Sequence, residues 1–157
     1  MIKPIPEGYR SVTPSVMYKD TLKAIEFYKK AFGAKMLGIF PSPDGQGVMH
    51  ATIQIGDSIV MMADEMKGPM RKSAESMGGS PANFWIYTEN ADTFFDKAVH
   101  AGALSVMPVA DMFWGDRMGA LQDPFGYIWN VATHTRDMTD SQVKKEAEAF
   151  FASMAKK

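Results

Sequence analysis

The order of predicted strands and helices repeats once along this chain of 157 residues. Hydrophobic alternation and turn residues predict a strand, a helix and three strands over residues 12–63, and the same order over residues 83–134. Each predicted helix stops at a glycine, Gly33 or Gly102. A unit of this kind cannot bury its own sheet face and usually packs against its copy. The repeat therefore predicts an α+β fold of two βαβββ modules with a concave surface between them.

The two copies align with a spacing of 69 positions, which is the distance between the two glycines. At this spacing Tyr18 matches Tyr87, and Asp20 matches Glu89. Either Asp20 or Thr21 is the predicted helix cap, because the short polar side chain of each can accept from the amides of the first turn. Either Glu89 or Asn90 fills the same role in the second module.

We expect one domain over residues 1–157, because a chain of this length with 46% hydrophobic residues can bury a shared interior. The first module covers residues 9–65 and the second covers residues 80–135. Between them, the glycine- and proline-rich residues 64–81 read either as a linker or as a mobile flap. A capping box opens a C-terminal helix over residues 138–156, which packs either on the body or on a second copy.

Composition excludes several classes of partner. A formal net charge of -1, from 17 basic and 18 acidic residues, lacks the basic surface that nucleic acid binding needs. The longest aliphatic run, residues 59–63, is far shorter than the roughly 20 residues that span a bilayer. The start of the sequence has no apolar export signal, and the absence of cysteine suits a reducing compartment. We therefore expect a cytoplasmic protein without membrane contact.

A tight hairpin closes the second module. Residues 123–126 spell Asp-Pro-Phe-Gly, in which proline presets the second position of a type I turn and glycine suits the fourth. After this turn a period of two puts Trp129 on one face of the strand and Asn130 on the other. Before the hairpin, a strand over residues 103–107 is predicted to end at Pro108.

Three segments of the chain carry a family resemblance: the helix at residues 24–34, the Trp-Gly-Asp-Arg segment at residues 114–117 and the turn at residues 123–126. Together they resemble the vicinal oxygen chelate superfamily, which holds glyoxalase I, bleomycin-resistance proteins, fosfomycin-resistance transferases and extradiol dioxygenases. Residues 48–51 and 132–134 also resemble its PhnB-like branch. The resemblance implies two cupped half-barrels around a pocket, and it specifies the fold better than the reaction.

The resemblance also implies where a metal would bind in the metal-using relatives, with one ligand from the first strand and one from the last strand of each module. The matching positions here all carry uncharged side chains: Thr13, Asn83, Asn130 and either Val60 or Met62. Those relatives use His and Glu there, which suit a divalent ion. We therefore expect no cofactor and no standard metal quartet. A nonstandard divalent-metal site using His50 and His134 stays open as the alternative.

Nine residues are expected to line the pocket: Thr13, His50, Gln54, Trp85, Tyr87, Trp114, Arg117, Asn130 and His134. Trp114 lies in a predicted loop, where a bulky aromatic side chain is costly unless it covers something. Adjacent Asp116 and Arg117 point to opposite faces of a strand, so one of them can face the pocket. Arg117 suits an anionic or planar ligand, although a structural role is equally open. For His50, the alternative to a pocket role is a hydrogen bond to the backbone. For His134, it is a position at the solvent-exposed end of its strand.

The sequence thus favours a homodimer in which each chain binds a small organic molecule in an aromatic-lined pocket. One alternative is a divalent-metal-dependent glyoxalase-like lyase or isomerase, or a dioxygenase, in which the ion polarises vicinal oxygens. Another is a structural interaction module with no well-formed cavity. No residue is assigned a catalytic role at this point.

Overall fold

A computed structural model describes residues 2–154, and its first module is a four-stranded sheet with one helix. The elements follow the predicted order: β1 (Ser15–Tyr18), α1 (Thr21–Phe32), β2 (Lys35–Pro41), β3 (Val48–Ile55) and β4 (Ser58–Asp64). The sheet order is β1-β4-β3-β2. β1 runs parallel to β4, and the other pairs are antiparallel.

The second module repeats this architecture. Its elements are β5 (Asn83–Tyr87), α3 (Ala91–His100), β6 (Leu104–Asp111), β7 (Asp116–Gln122) and β8 (Ile128–His134). The sheet order β5-β8-β7-β6 matches that of the first module. These observations confirm the predicted fold of two βαβββ modules, each built on an open sheet.

Two further helices lie outside the modules. The short helix α2 (Ala74–Met77) lies in the segment between the modules, and α4 (Asp140–Met154) is the predicted C-terminal helix. The last positions of that prediction, residues 155 and 156, lie outside the described residues, as do both ends of the single domain expected over residues 1–157. Over residues 2–154, no helix combines the length and apolar composition needed to cross a membrane.

The helix caps show that the modules align differently from the sequence prediction. The Asp20 side chain accepts from the Lys23 amide, and the Asn90 side chain accepts from the Thr93 amide. Asp20 therefore matches Asn90, not Glu89, and the spacing at the helix starts is one residue longer than the predicted 69. α1 has 12 residues and α3 has 10, so the spacing changes again before the next strand.

The hydrophobic core is shared by the two modules. Phe32 of α1 stacks on Phe94 of α3, with ring centroids 5.6 Å apart and planes 19° apart. Phe32 also packs on Trp129 of β8, with centroids 4.9 Å apart, and Tyr28 contacts the same indole. Because one helix of the first module packs on a strand of the second, the two modules share one hydrophobic core.

The predicted turn at residues 123–126 is also the place where the modules are joined by hydrogen bonds. The Gly126 amide donates to the Asp123 carbonyl at 3.1 Å, as a type I turn requires. Asp123 Oδ2 accepts from the Tyr28 hydroxyl at 2.5 Å and from Trp129 Nε1 at 2.8 Å. Burial raises the pKa of the Asp123 carboxyl. Tyr28 lies on α1, so this buried carboxyl fastens the first module to the second.

Candidate functional site

A cleft of about 1010 Å³ lies between the two modules. One wall comes from the first module: the segment before β1, the end of α1 and the β3–β4 turn. The other wall comes from β5 and from the core residues behind it. Edge strand β5 is hydrogen-bonded only to β8, so its second edge faces the cleft. The packing of the modules against each other therefore creates the cleft.

Two aromatic side chains on β5 form one wall of the cleft. Trp85 is 48% exposed and Tyr87 is 62% exposed, and both point away from the shared core. Their rings are nearly parallel, with centroids 6.2 Å apart and planes 27° apart. The alternation of the strand explains this, because residues two apart share a face. Trp85 and Tyr87 thus present a flat aromatic surface to the cleft.

Behind this surface the cleft has an apolar base. Phe84 and Ile86 alternate with the exposed pair and point to the other face of β5. Phe84 packs on Trp129, with ring centroids 4.7 Å apart. Phe32 and Phe94 complete the base. The base is part of the shared core, so it is held rigidly by the same contacts that hold the modules together.

Polar side chains line the opposite wall. Thr13 donates through its hydroxyl to the Arg10 carbonyl at 3.1 Å. The Arg10 guanidinium lies 3.8 Å from the Asp57 carboxylate, and both side chains are largely exposed. Lys35 and Gln54 lie opposite each other on β2 and β3 and also line the cleft. The cleft therefore combines an aromatic wall with a polar one.

Four of the nine predicted pocket residues line the cleft: Thr13, Gln54, Trp85 and Tyr87. Five do not: His50, Trp114, Arg117, Asn130 and His134. His50 Nε2 is 3.1 Å from the hydroxyl of Thr52. Asn130 Nδ2 is 3.4 Å from the Phe84 carbonyl, a long contact across to β5.

A hydrogen-bonded network beside the cleft centres on a residue that was not among the predicted nine. Asp116 is 5% exposed. Its Oδ2 accepts from the Tyr87 hydroxyl at 3.1 Å and from Trp114 Nε1 at 3.0 Å, and its Oδ1 accepts from His134 Nδ1 at 2.8 Å. Burial and the Asp116 carboxylate raise the pKa of Tyr87. Asp116 therefore fixes the hydroxyl end of one of the two aromatic side chains in the cleft wall.

His134 is held between two carboxylates. Its Nε2 is 3.0 Å from Asp137 Oδ1, and its Nδ1 bonds to Asp116. Hydrogen bonds to Asp137 and Asp116 raise the pKa of the imidazole. A carboxylate only accepts, so both ring nitrogens act as donors in the protonated ring. Neither nitrogen is available to a metal ion without breaking one of these bonds.

Arg117 points to the face opposite Asp116, toward helix α3. Its Nε and Nη2 donate to Asp92 at 2.7 and 2.6 Å, and its Nη1 donates to Asp111 at 3.1 Å. The Arg117 guanidinium lowers the pKa of Asp92. The sequence predicted that one member of the Asp116–Arg117 pair faces the pocket side. The structure puts Asp116 on that side, and Arg117 fastens α3 to β7.

The positions that hold a divalent ion in the metal-using relatives do not fit one here. β1 pairs with β4 so that Ser15 lies opposite Met61, and Val60 and Met62 are buried against the core. In the second module Trp85 lies opposite Asn130, and Trp85 matches Ser15 at the 70-residue spacing of the helix caps. Met61 therefore takes the position for which Val60 or Met62 was predicted. Together with Thr13, Asn83 and Asn130, it offers a thioether, a hydroxyl and two amides, and so neither a carboxylate nor an imidazole for a divalent ion. Within residues 2–154, no group of three or more His, Asp or Glu side chains is arranged so that it could hold a metal ion.

Known proteins share both the sequence pattern and the fold. A family model described as the Glyoxalase/Bleomycin resistance protein/Dioxygenase superfamily matches residues 11–131. An uncharacterized protein of Mycobacterium tuberculosis is 34% identical over 137 residues, which cover 85% of this chain and 80% of that protein. The X-ray structure of an Arabidopsis thaliana gene product is 28% identical, with a TM-score of 0.64 over 79% of this chain and 98% of that chain.

A PhnB protein from Bacillus cereus shares the fold at lower identity. It is 17% identical, with a TM-score of 0.60 over 79% of this chain and 99% of that chain. The family model alone covers well over half of the sequence. The chain therefore belongs to the glyoxalase, bleomycin resistance protein and dioxygenase superfamily.

Proposed function

We propose that this protein binds a small planar organic molecule in the cleft between its modules. The observation that carries the proposal is the exposed, nearly parallel pair Trp85 and Tyr87 on the cleft wall. Large aromatic side chains exposed side by side are costly in water, and they commonly mark a binding surface. A flat ligand that covers them removes this apolar area from water.

The size of the cleft suits a small-molecule ligand. Its volume of about 1010 Å³ is at the upper end of the range for small-molecule sites. Aromatic rings prefer offset stacking or edge-to-face contact, and the Trp85 indole offers an exposed face for either. Tyr87 is oriented by its bond to Asp116, so the wall is preorganised before a ligand arrives.

The alternative of a divalent-metal-dependent lyase, isomerase or dioxygenase receives no support from the donor set. The relevant positions carry Thr13, Met61, Asn83 and Asn130, and none of these supplies a charged ligand. We therefore propose no metal-dependent step, and binding of the ligand is the activity that the side chains of the cleft support.

Binding of a matched pair of probes tests the proposal. Naphthol is planar, whereas its saturated analogue decahydronaphthol is not, and the two have similar size. We expect naphthol to bind about two- to twelvefold more tightly in calorimetry, because stacking adds about 0.5–1.5 kcal/mol beyond buried area. The variant Trp85→Leu should lose this preference.

The control variant is Phe40→Leu, which changes an exposed aromatic side chain on β2 away from the cleft. It should bind both probes as the unmodified protein does. Equal binding of naphthol by the Trp85→Leu variant, or no binding of either probe to the unmodified protein, would contradict the proposed function. Thermal unfolding with each probe gives an independent reading, because a ligand bound only to the native state raises its melting temperature.

We also propose that the protein is a homodimer. The support is a set of exposed apolar side chains on edge strand β6 and on α4: Leu104, Val106 and Phe151. An edge strand with apolar side chains invites pairing with a second chain. The molar mass in solution, measured by light scattering, should be twice that of the 17.4 kDa chain.

A further inference from the structure

The charge of the cleft differs in sign from that of the whole chain. The charged residues that line it are Arg10, Lys35 and Asp57, which together give one net positive charge. The formal net charge of the chain is -1. Arg10 and Asp57 lie 3.8 Å apart and largely offset each other. The surplus positive charge therefore lies on Lys35.

Lys35 occupies a defined place at the start of β2. It follows Ala34, which is buried, and it is the direct partner of Gln54 in the antiparallel pair of β2 and β3. Opposite residues of such a pair project their side chains to the same face, about 5 Å apart. The Lys35 ammonium and the Gln54 amide thus belong to one patch on the polar wall of the cleft.

The ammonium of Lys35 forms no ion pair within the part of the chain that the structure describes. Over residues 2–154, no Asp or Glu oxygen lies within ion-pair distance of its Nζ. The other wall of the same cleft holds the aromatic pair Trp85 and Tyr87. A ligand in the cleft meets a flat apolar surface on one side and an ammonium beside an amide on the other.

We infer that the natural ligand is an aromatic acid, a planar ring that carries a carboxylate or a similar anionic group. Its ring stacks on Trp85, and its anionic oxygens accept from the Lys35 ammonium and the Gln54 amide. Hydrogen bonds to a charged group are stronger than those between neutral groups, so the acid adds affinity that a neutral ring lacks. This inference rests on the proposed function, because it names the ligand class of that same cleft.

Three probes of the same ring and different charge test the inference: naphthoate, neutral naphthamide and cationic naphthylmethylamine. We expect calorimetry at low salt to show that naphthoate binds about fivefold or more tightly than naphthamide, and that the cation binds most weakly. The preference should shrink at about 0.5 M salt, because the Debye length then falls to a few ångströms.

The variant Lys35→Gln removes the charge and keeps a polar side chain of similar length. It should bind naphthoate no more tightly than naphthamide, so the preference of the unmodified protein for the anion is lost. The matched control Lys19→Gln removes an exposed lysine that does not line the cleft, and it should keep the preference of the unmodified protein.

The outcomes separate the two proposals. If naphthoate and naphthamide bind the unmodified protein equally, and Trp85→Leu weakens the binding of both, the inference of an aromatic acid is wrong and the proposed function stands. If the Lys35→Gln variant keeps the preference for naphthoate, the anionic group does not bind at Lys35. The inference is then wrong, and the proposed function stands. If none of the three probes binds, the proposed function itself fails.

Discussion

Asp123 shows how one side chain can join two modules. Its two carboxyl oxygens accept four hydrogen bonds: from the amides of Phe125 and Tyr127, and from the side chains of Tyr28 and Trp129. The residue is only 3% exposed. A buried carboxyl is costly unless its oxygens are bonded, and here each oxygen accepts two hydrogen bonds.

The variant Asp123→Asn should destabilise the protein by about 1–3 kcal/mol, because a buried donor is then left without a partner. The amide nitrogen of the new side chain is a donor, so it accepts neither from the Tyr28 hydroxyl nor from Trp129 Nε1. The free energy of unfolding in urea measures the loss. The control Asp96→Asn, on the exposed side of α3, should change stability by less than about 0.5 kcal/mol. Equal stability of the two variants would show that the Asp123 network contributes little.

The sequence predicted that the neighbours Asp116 and Arg117 face opposite sides of their strand, but not which of them faces the cleft side. The period of a strand predicts that they face opposite sides, and they do. Which one faces the cleft side depends on register: Leu121 pairs with Trp129 across the hairpin, and both face the core. Arg117 has the same parity as Leu121, so it turns toward α3. The turn at residues 123–126 sets the pairing register of β7 and β8. That register gives the direction of the Arg117 side chain only when it is known which face of the sheet is buried.

Helix α3 packs closely against strand β7 at one glycine, Gly119. A Cβ at Gly119 would lie 2.7 Å from Phe95 Cε2 of α3 and 2.9 Å from the Met107 carbonyl of β6. Both distances are shorter than ordinary contact. The absence of a side chain at this point therefore lets the helix lie directly on the sheet.

The variant Gly119→Ala should destabilise the protein by about 1–3 kcal/mol, because the added methyl group forces α3 away from β7. Gly38 offers a matched control, since it also lies in a strand and a Cβ there would meet nothing within 4 Å. Thermal or urea unfolding of both variants measures the difference. A Gly119→Ala variant as stable as Gly38→Ala would mean that the helix shifts without cost.

The order and type of the elements could be predicted from local pattern, and some of their ends could not. The three strands predicted after the first helix within residues 12–63 are present as β2, β3 and β4. β6 extends past Pro108 to Asp111, although proline predicted its end at residue 107. β6 is an edge strand with an irregular pairing between Met107 and Ala110, so Pro108 leaves no ladder bond unmade. Edge position is a property of the sheet, which local sequence does not contain.

At the scale of the whole molecule, the repeat predicted a concave surface, and the packing of the modules decides which residues reach it. Thr13 and Gln54 from the first module share the cleft with Trp85 and Tyr87 from the second. His50 lies on the same strand as Gln54 and stays outside. Alternation gives the face of each strand, but the position of the cleft along that face follows from long-range contacts of α1 with the second module.

Those contacts predict that the two modules unfold together. The rings of Phe32 and Trp129 pack directly, and the Tyr28 hydroxyl is bonded to Asp123, so the core of one module cannot open without exposing that of the other. Trp85, Trp114 and Trp129 are the three tryptophans of the chain and all lie in the second module, so their fluorescence follows the unfolding of that module and, through Trp129, its contact with α1. Far-ultraviolet circular dichroism reports on both modules, and the two urea transitions should coincide.

A mutation in the first module makes this test decisive. Ile53 is fully buried on β3, and Ile53→Val should lower the free energy of unfolding by about 0.5–1.5 kcal/mol. In a single cooperative unit, this variant lowers the midpoint of the tryptophan transition as much as that of the circular dichroism transition. If the modules were independent, the tryptophan midpoint would stay where it is in the unmodified protein. Only the circular dichroism curve would then change, and the shared core would not couple the two modules.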